Sequence, residues 1–243
     1  MNNRKFQKKT RSKNKPNQPK KRSKKKEKLK EELEFMKKIQ EKLKLANEEK
    51  DFLQYFPRYT NYNKNGVNIK MEFYKEIPKE NKQEIIDLLR SNMKVMYEEA
   101  DGWGWNESQK FNELVSEEAR FLVLKKIDEK NNDQESESKG SFAGFAHFRF
   151  VEDDKRAVVY LYELQLVPDV CGKGIGKFVM QFLELIVFKF NLNGLVLTCF
   201  TANSRALNFY LNHMKYSIDR TSPQDSLDEV SSYRILSKII RNI

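Results

Sequence analysis

The sequence predicts a mixed α/β fold, in which helices flank a central β-sheet. Three observations lead to this prediction. An apolar run over residues 158–167 is typical of a strand that is buried on both faces. A glycine-rich turn at 172–176 follows it, and an apolar helical pattern begins at Phe178. Shorter segments that alternate apolar and polar residues lie on either side of this unit, as expected for half-buried strands of one sheet.

The composition supports one domain with an extension. The chain has 243 residues, of which 39% are hydrophobic, and it contains 17 Phe and 10 Tyr, enough for a sizeable core. No apolar stretch reaches the roughly 18 residues that a membrane-spanning helix needs, and the N-terminus lacks the apolar segment of a secretory signal. Two cysteines and two histidines suggest neither a disulfide framework nor a Cys/His metal site. We therefore expect an intracellular protein that has no metal and does not associate with membranes.

The positive charge is concentrated at the N-terminus. Residues 1–30 hold 15 Lys or Arg and one Glu, a net charge of +14 within a total of +11, so the other residues together carry −3. We expect residues 1–23 to be a disordered basic tail. Its Lys/Arg runs are typical of a nuclear localisation signal, of a solubilising or ribosome-tethering tail, or of a segment that contacts nucleic acid. The predicted location is nucleus and cytoplasm, and the weakly acidic remainder suits a basic ligand.

The elements before the central strand follow from periodicity. Residues 24–50 lack Gly and Pro and carry apolar residues at helical spacing, which predicts a helix that packs on a domain formed by residues 51–243. Aromatic residues between 52 and 59 are expected in the core. A strand at 67–74 and helices at 79–100 and 106–117 come next.

Two tryptophans separated by one glycine, Trp103 and Trp105, fall in a predicted loop. Either both fill the core or they form an aromatic wall beside a peptide groove.

The remaining pattern completes the sheet. Strands are predicted at 119–126 and 141–151, with a polar hairpin insertion at 128–139 between them. After the glycine turn and its helix come a buried strand at 194–200 and a helix at 204–213 capped by Asn203. Two strands, at 216–219 and 233–239, end the domain.

Two motifs indicate what the domain binds. Glycines and a helix N-terminus after a strand form a cradle for anions, although such turns also occur for steric reasons alone. Here the turn is followed, at residues 203–210, by the pattern N-x-x-A-x-x-F/Y-Y. Together the two segments resemble motifs A and B of the GNAT acetyltransferases, although Cys171 stands where that family has Arg or Gln. The resemblance implies the GNAT fold, whose sheet splays apart beside motif A, and acetyl-CoA as cosubstrate.

Further segments resemble one branch of that family, N-terminal acetyltransferase D (NatD). They are HFRF, YLYELQL, MYEEADGWGW and SSYRILS, and the resemblance spans roughly residues 20–240. NatD enzymes acetylate the N-terminal amine of histones H-four and H-two-A, which begin Ser-Gly-Arg-Gly. Other N-terminal acetyltransferases often use an auxiliary subunit. Here the long N-terminal helix is expected to brace the domain instead, which predicts a monomer.

Glu163 is the candidate base, because a carboxylate within an apolar strand is costly to bury without a partner or a role. An ion pair with an arginine such as Arg149 is the alternative. An N-terminal amine, with a pKa near 7.7–8.0, needs only a modest base, whereas a lysine at about 10.4 needs a stronger one. Tyr160 and Tyr162 flank Glu163 and either position the peptide or pack. The resemblance implies that Tyr210 is a general acid; core packing is its alternative.

The resemblance also implies two sets of binding residues. Those expected to bind the cofactor are Gln165, Leu166 and Val167, the turn residues Cys171, Gly172, Lys173, Gly174, Ile175, Gly176 and Lys177, and Asn203, which also serves as a helix cap. Those expected to bind the peptide are the aromatic residues Tyr97, Trp103 and Tyr233, the acidic Glu152 and Asp153 with their neighbour Asp154, and the hydroxyl-bearing Thr221 and Ser222.

Two other functions remain open at this point. A GNAT enzyme of this kind could acetylate a lysine or another amine. A non-catalytic chromatin or ribosome binder on a degenerate GNAT scaffold would explain Cys171, but the intact glycines, Asn203 and Tyr210 argue against it.

Overall fold

The computed structural model describes residues 19–127, 140–225 and 230–240. The polar insertion at 128–139 and residues 1–18 of the predicted tail lie outside the described part. The chain divides between Lys38 and Ile39 into two compact units. The first helix, α1 (Pro19–Glu48), begins within the stretch expected to be disordered, and its last ten residues belong to the second unit.

A single mixed sheet forms the centre of the second unit, with eight strands among the described residues. They are β1 (Asn61–Lys64), β2 (Val67–Tyr74), β3 (Arg120–Lys126), β4 (Ser141–Asp153), β5 (Arg156–Leu166), β6 (Gly194–Phe200), β7 (Ser217–Ile218) and β8 (Tyr233–Ile239). Their spatial order is β1-β2-β3-β4-β5-β6-β8-β7. Only the contact of β5 with β6 is parallel.

The described residues form four further α-helices, which pack against the sheet. They are α2 (Lys82–Glu99), α3 (Glu107–Leu114), α4 (Ile175–Lys189) and α5 (Ser204–Asn208). Helices α2 and α3 pack on the face of the sheet that presents Phe121 and Val123 of β3. Because side chains alternate along a strand, the fully buried Leu122 and Leu124 point to the opposite face. The sheet is therefore buried on both sides, as a mixed α/β fold requires.

The sheet splays apart between β5 and β6. These strands pair only from 158–161 to 194–197, although β5 continues to Leu166 and β6 to Phe200. A bulge lies on β5 where the pairing ends. His147 of β4 pairs with Glu163 and Phe148 with Leu161, so Tyr162 has no opposite residue. The gap expected from the GNAT resemblance is confirmed.

The segment after β6 differs from its prediction. The single helix expected at 204–213 is instead α5 followed by a wide π-helical turn, Phe209–His213. In that turn the N–H of Met214 donates to the carbonyl of Phe209, at 2.9 Å. The widened turn displaces the register of the helix by one residue and directs Tyr210 into the domain.

Candidate active site

A cavity of about 300 Å³ occupies the gap between β5 and β6. Its wall is formed by α2, α3, β5, β6, α5, the π turn and the loop that carries Trp103. The lining residues are Met93, Tyr97, Trp103, Lys110, Glu113, Tyr160, Leu161, Tyr162, Glu163, Leu164, Gln165, Thr198, Cys199, Phe200, Asn203, Ala206 and Tyr210. All four predicted catalytic residues are brought together here.

Glu163 lies buried in the wall of this cavity. One carboxylate oxygen, Oε2, accepts a hydrogen bond of 2.8 Å from the side-chain amide of Gln165. The other, Oε1, is 3.9 Å from the ammonium of Lys110. Burial raises the pKa of Glu163 to about 7, because the charged form loses its hydration, and Lys110 and Gln165 act in the opposite direction. A carboxylate with such a pKa exchanges a proton near neutral pH.

The charge partner of Glu163 is Lys110, not the arginine considered from the sequence. Arg149 donates instead to the carbonyl of Glu113 at 2.7 Å, and its guanidinium lies 4.5 Å from the ring centroid of Tyr162. Lys110 pairs with the carboxylate of Glu113 at 2.8 Å. Its ammonium also lies 4.5 Å from the ring centroid of Tyr97. Sequence reasoning missed Lys110 and Glu113, which lie on a short helix rich in polar residues.

Tyr160 and Tyr162 lie side by side along the cavity. Their ring centroids are 5.3 Å apart, and the hydroxyl of Tyr160 is 2.7 Å from that of Thr198. Tyr162 is the bulged residue, and its ring stacks on His147 at 5.0 Å. Burial, with help from Arg149 and Lys110, lowers the pKa of His147 to about 3, so this imidazole is neutral at physiological pH. A neutral, buried His147 supports the ring of Tyr162 and is too weak a base to compete with Glu163.

Tyr210 closes the cavity on the side of the π turn. Its side chain is buried, and burial raises the pKa of its phenol well above the ordinary value, with Cys199 and Glu163 adding to the effect. Burial likewise raises the pKa of the Cys199 thiol to about 12. Both groups therefore keep their protons at neutral pH, and Tyr210 is a hydrogen-bond or proton donor rather than a base.

The glycine turn lies directly before α4. Gly172 and Gly174 have φ angles of 76° and 90°, in the left-handed region that favours glycine. A Cβ on Gly174 would lie 2.6 Å from the hydroxyl of Tyr62, so a larger residue would also collide. The Tyr62 hydroxyl and the Asn65 amide donate to the carbonyl of Lys173, at 2.6 and 2.9 Å. The β1–β2 hairpin thereby fixes the shape of the turn.

The first turn of α4 presents backbone donors. Its N-cap is Gly174, which supplies no side-chain hydrogen bond to the N–H groups of the described residues Ile175, Gly176 and Lys177. Such a helix end suits a phosphate group. Cys171, which replaces the Arg or Gln of the family, is half-buried, with its sulfur 4.0 Å from the carbonyl of Leu166.

Two of the three residues at the end of β5 that are predicted to bind the cofactor, Gln165 and Val167, direct their backbone N–H groups toward β4. The N–H of Val167 donates to the carbonyl of Ala143 at 3.0 Å and is not available to a ligand. By the alternation of an antiparallel ladder, the N–H of Gln165 points toward β4 as well, and that of Leu166 points away from β4 into the gap. Gln165 contributes through its side chain, which holds Glu163 and accepts from Asn92 at 3.0 Å.

Asn203 forms the predicted helix cap and lies at the cavity. Its side-chain oxygen accepts from the N–H of Ala206 at 3.1 Å, as an N-cap does. The residue also lines the cavity.

An aromatic wall formed by Tyr97, Trp103 and Phe200 lines the cavity, whereas Tyr233, predicted to bind the peptide with them, packs on Trp103 and does not line it. The ring of Trp103 lies 5.8 Å from Tyr97, 5.2 Å from Phe200 and 5.3 Å from Tyr233. Trp103 remains 44% exposed, whereas Trp105 packs against the core under α2 and α3. Trp105 therefore belongs to the core, and Trp103 belongs to the aromatic wall of the cavity.

The acidic residues predicted to meet the peptide do not line the cavity. The carboxylate of Glu152 accepts from Gln40 of α1 at 3.3 Å. Asp153 forms an ion pair of 2.5 Å with Arg156, which also binds Asp219 at 2.7 Å, and Asp154 pairs with Arg220. Asp153 and Asp154 therefore pair with Arg156 and Arg220 beside the β4–β5 turn, and Glu152 pairs with Gln40, so all three carboxylates have partners within the chain.

Thr221 and Ser222 are also placed differently from their prediction. The hydroxyl of Thr221 donates to Asp219 at 2.8 Å, and that of Ser222 accepts from the N–H of Ile235 at 3.0 Å. Both hydroxyls stabilise the turn before β8, and neither residue lines the cavity.

Among the described residues, no group of His, Cys, Asp and Glu could hold a metal ion. In the same part of the chain, we find no helix long and apolar enough to span a bilayer.

Known proteins resemble this chain in sequence pattern and in fold. A sequence model of the acetyltransferase (GNAT) family matches residues 83–216, more than half of the chain. An acetyltransferase structure from Streptococcus agalactiae superposes with a TM-score of 0.50 at 14% identity, covering 71% of this chain and 98% of that one. NAA60 from Arabidopsis thaliana, in complex with a bisubstrate analogue, gives 0.49 at 13% identity over 71% of this chain and 100% of its own. Ard1 from Thermoplasma volcanium gives 0.47 at 14% identity over 71% and 99%.

Proposed function

Because this chain belongs to the acetyltransferase (GNAT) family, we propose that it transfers acetyl from acetyl-CoA to the free N-terminal amine of a protein. The observation that carries this proposal is Glu163, a buried carboxylate with a pKa of about 7 in the cavity beside the splayed strands. A general base works best when its pKa lies near the working pH.

The strength of that base favours an N-terminal amine over a lysine side chain. An N-terminal ammonium has a pKa near 7.7–8.0, within about one unit of Glu163, so the proton passes between them at little cost. A lysine ammonium, at about 10.4, would hold its proton against the same carboxylate by more than three units. The pKa difference therefore supports an N-terminal amine as the acceptor.

The described residues fit acetyl-CoA. The N-terminal turn of α4 and the left-handed glycines suit its pyrophosphate, and the outward N–H of Leu166 suits the pantetheine arm in the gap. Acetyl-CoA would supply the acetyl group as a thioester, with a carbonyl open to attack and a sulfur that leaves.

Residues of the chain then divide the proton transfers between them. Glu163 accepts the proton of the incoming ammonium and leaves a neutral amine. Tyr210, which burial keeps protonated, holds a proton at the cavity wall, where a leaving sulfur would need it. Tyr160 and Tyr162 give the amine a fixed path, because Thr198 and His147 hold their side chains.

We propose histones of the Ser-Gly-Arg-Gly type as acceptors, in the nucleus and cytoplasm. The support is the NatD resemblance together with the net charge of −3 outside residues 1–30, which suits a basic tail. The basic N-terminus would bring the enzyme to polyanionic surroundings such as chromatin or the ribosome.

The test is acetyl transfer from acetyl-CoA to a Ser-Gly-Arg-Gly-Lys peptide, run beside the same peptide with a blocked N-terminus. We expect transfer to the free peptide only. Transfer to both would move the acceptor to lysine. No transfer to either, with coenzyme A still bound, would refute the acceptor and leave the family assignment intact.

A further inference from the structure

Lys110 lies beside the proposed base Glu163, and it has no separate role as an acid or base toward the substrate. Its ammonium is 3.9 Å from Oε1 of Glu163 and 2.8 Å from Glu113, and its side chain is 13% exposed. The face of the Tyr97 ring covers the same ammonium, with the centroid at 4.5 Å. This cation is therefore held in place from three sides by groups on α2, α3 and β5.

We propose that Lys110 is a positioning residue for the reaction, a fixed cation that keeps Glu163 ionisable and aims its free oxygen at the acceptor amine. The inference rests on the proposed function, since it assigns Lys110 a role through Glu163.

The two carboxylate oxygens of Glu163 have different partners. Gln165 donates to Oε2 and is itself held by the amide of Asn92 at 3.0 Å, which fixes which end of the Gln165 amide faces the carboxylate. Lys110 stands off from Oε1 by more than a hydrogen-bond length. It supplies electrostatic attraction while leaving Oε1 free to accept a proton.

Lys110 acts as a constant charge rather than as a proton relay. Although burial opposes it, the nearby Glu163, Tyr97 and Glu113 raise the pKa of its ammonium above the ordinary value. It therefore stays protonated wherever the enzyme works, and it cannot accept the proton that Glu163 receives.

The groups around Glu163 predict opposite effects for two substitutions. The titratable and charged residues that surround it are Lys110 and Glu113 on α3, Tyr97 on α2, His147 and Arg149 on β4, Tyr160 and Tyr162 on β5, Cys199 on β6 and Tyr210 on the π turn. Among them Lys110 lowers the pKa of Glu163 and Glu113 raises it. Removing the lysine charge must raise that pKa, and removing the Glu113 charge must lower it.

The first measurement is the pH profile of kcat/KM for the free Ser-Gly-Arg-Gly-Lys peptide. We expect Lys110→Met to move the acidic limb up by about one pH unit, as loss of an adjacent opposite charge does. The variant then loses roughly fivefold at pH 7 and recovers to within about threefold at pH 9. Lys110→Arg keeps the limb at its original position, and Glu113→Gln moves it down. The matched control is Lys94→Met, which removes an exposed lysine paired with Glu98 at 3.7 Å and leaves the profile unchanged.

A second measurement needs neither donor nor acceptor and separates this inference from the proposed function. Burial penalises ionised Glu163 only in the folded protein, so the Tm gain of Glu163→Gln over the parent grows above about pH 4.5 and levels off near the folded-state pKa of about 7. In a Lys110→Met background the folded-state pKa rises while the unfolded-state pKa does not, so the gain should level off at a higher pH and at a larger value. If the parent acetylates no peptide but this plateau moves, the proposed acceptor is wrong and the coupling of Lys110 to Glu163 stands.

Two results would overturn the inference. One is an equal loss of kcat/KM at every pH for Lys110→Met, with no rescue by Lys110→Arg, because that indicates a purely structural role. The other is a Tm gain that levels off at the same pH and the same value with and without Lys110. Should Lys110→Met not fold, Glu113→Gln decides, and an acidic limb that stays in place or rises contradicts the proposal.

Discussion

At the scale of single residues, Glu163 could be found from the sequence and Lys110 could not. A carboxylate inside an apolar strand violates the pattern around it, and that violation is visible without coordinates. Lys110 is one of 46 Lys or Arg in the chain and lies on a helix with an ordinary polar pattern. Its contact with Glu163 depends on how α3 docks on the sheet, which side-chain periodicity does not encode.

Substitution of the base tests its catalytic role. Glu163→Gln keeps the shape of the side chain and loses proton acceptance, so we expect kcat to fall by about 10²- to 10⁴-fold. Binding of coenzyme A, measured by calorimetry, should stay within about twofold, because the contacts of the Glu163 carboxylate are with Gln165 and Lys110 and not with the glycine turn. A kcat within about threefold of the parent at pH 8 would remove Glu163 from the mechanism.

The same substitution should make the protein more stable at alkaline pH. The folded-state pKa of Glu163, about 7, lies above the ordinary value of 4.5, so folding favours the protonated form. The penalty for ionisation is absent below about pH 4.5, grows between the two pKa values and is complete above about pH 7, where it reaches about 3 kcal/mol. Glu163→Gln should therefore raise Tm by several degrees at pH 8 and by little at pH 5. A Tm difference that does not change with pH contradicts the assigned pKa.

At the scale of elements, the order of strands and helices followed from periodicity, whereas the irregular segments did not. The bulge at Tyr162 and the π turn at 209–213 both sit where neighbouring elements part from one another. Such irregularities satisfy backbone groups that a regular element would leave unpaired, so they depend on tertiary partners. The short strand β1 was missed for a related reason, because it carries one buried residue, Tyr62, and shows no alternation of its own.

The hairpin that contains Tyr62 gives a prediction for the cofactor site. Tyr62→Phe removes the hydroxyl that donates to Lys173 and loosens the glycine turn. The KM for acetyl-CoA should rise roughly 3- to 10-fold, which corresponds to about 1 kcal/mol, with kcat and the peptide KM nearly unchanged. Initial rates at varied acetyl-CoA measure this effect.

Tyr59→Phe is the matched control for that experiment. Tyr59 stacks on Phe178 with ring centroids 4.9 Å apart, in the same aromatic group, and makes no hydrogen bond to the turn. Equal changes in the acetyl-CoA KM for the two variants would show that the hydroxyl of Tyr62 does not position the turn.

At the scale of the whole molecule, the last ten residues of α1 belong to the folded domain. Ile39, Leu43 and Ala46 are buried there. The guanidinium of the buried Arg120 reaches Asn47 at 3.2 Å and the carbonyls of Glu117 and Ala119 at 2.7 and 2.8 Å. A helix pattern in the sequence predicted a packed helix, but only the structure shows that its end provides this contact.

Two truncations should show that residues 39–48 of α1 stabilise the domain and that the residues before them do not. Deletion of residues 1–50 exposes the surface that the three buried side chains cover and leaves Arg120 without Asn47. Because a buried Ile or Leu contributes about 1.5–3 kcal/mol each, we expect Tm to fall by on the order of 10 °C. The control deletes residues 1–38 and keeps the buried residues. Equal losses of Tm in the two deletions, measured by differential scanning fluorimetry, contradict the bracing role of residues 39–48.

Because β5 and β6 splay apart, the sheet lacks several backbone hydrogen bonds between two of its inner strands. On the proposed function, the pantetheine arm of acetyl-CoA forms hydrogen bonds in their place, so the bound donor completes the secondary structure and its release leaves that structure incomplete again. Ligand that binds only the folded state adds about 2.7 kcal/mol of stability at 100 times its Kd. The lifetime of the enzyme in a cell would then follow the supply of acetyl-CoA, since a starved population unfolds and is degraded more readily. Metabolic state would set the abundance of the catalyst as well as the rate of each turnover.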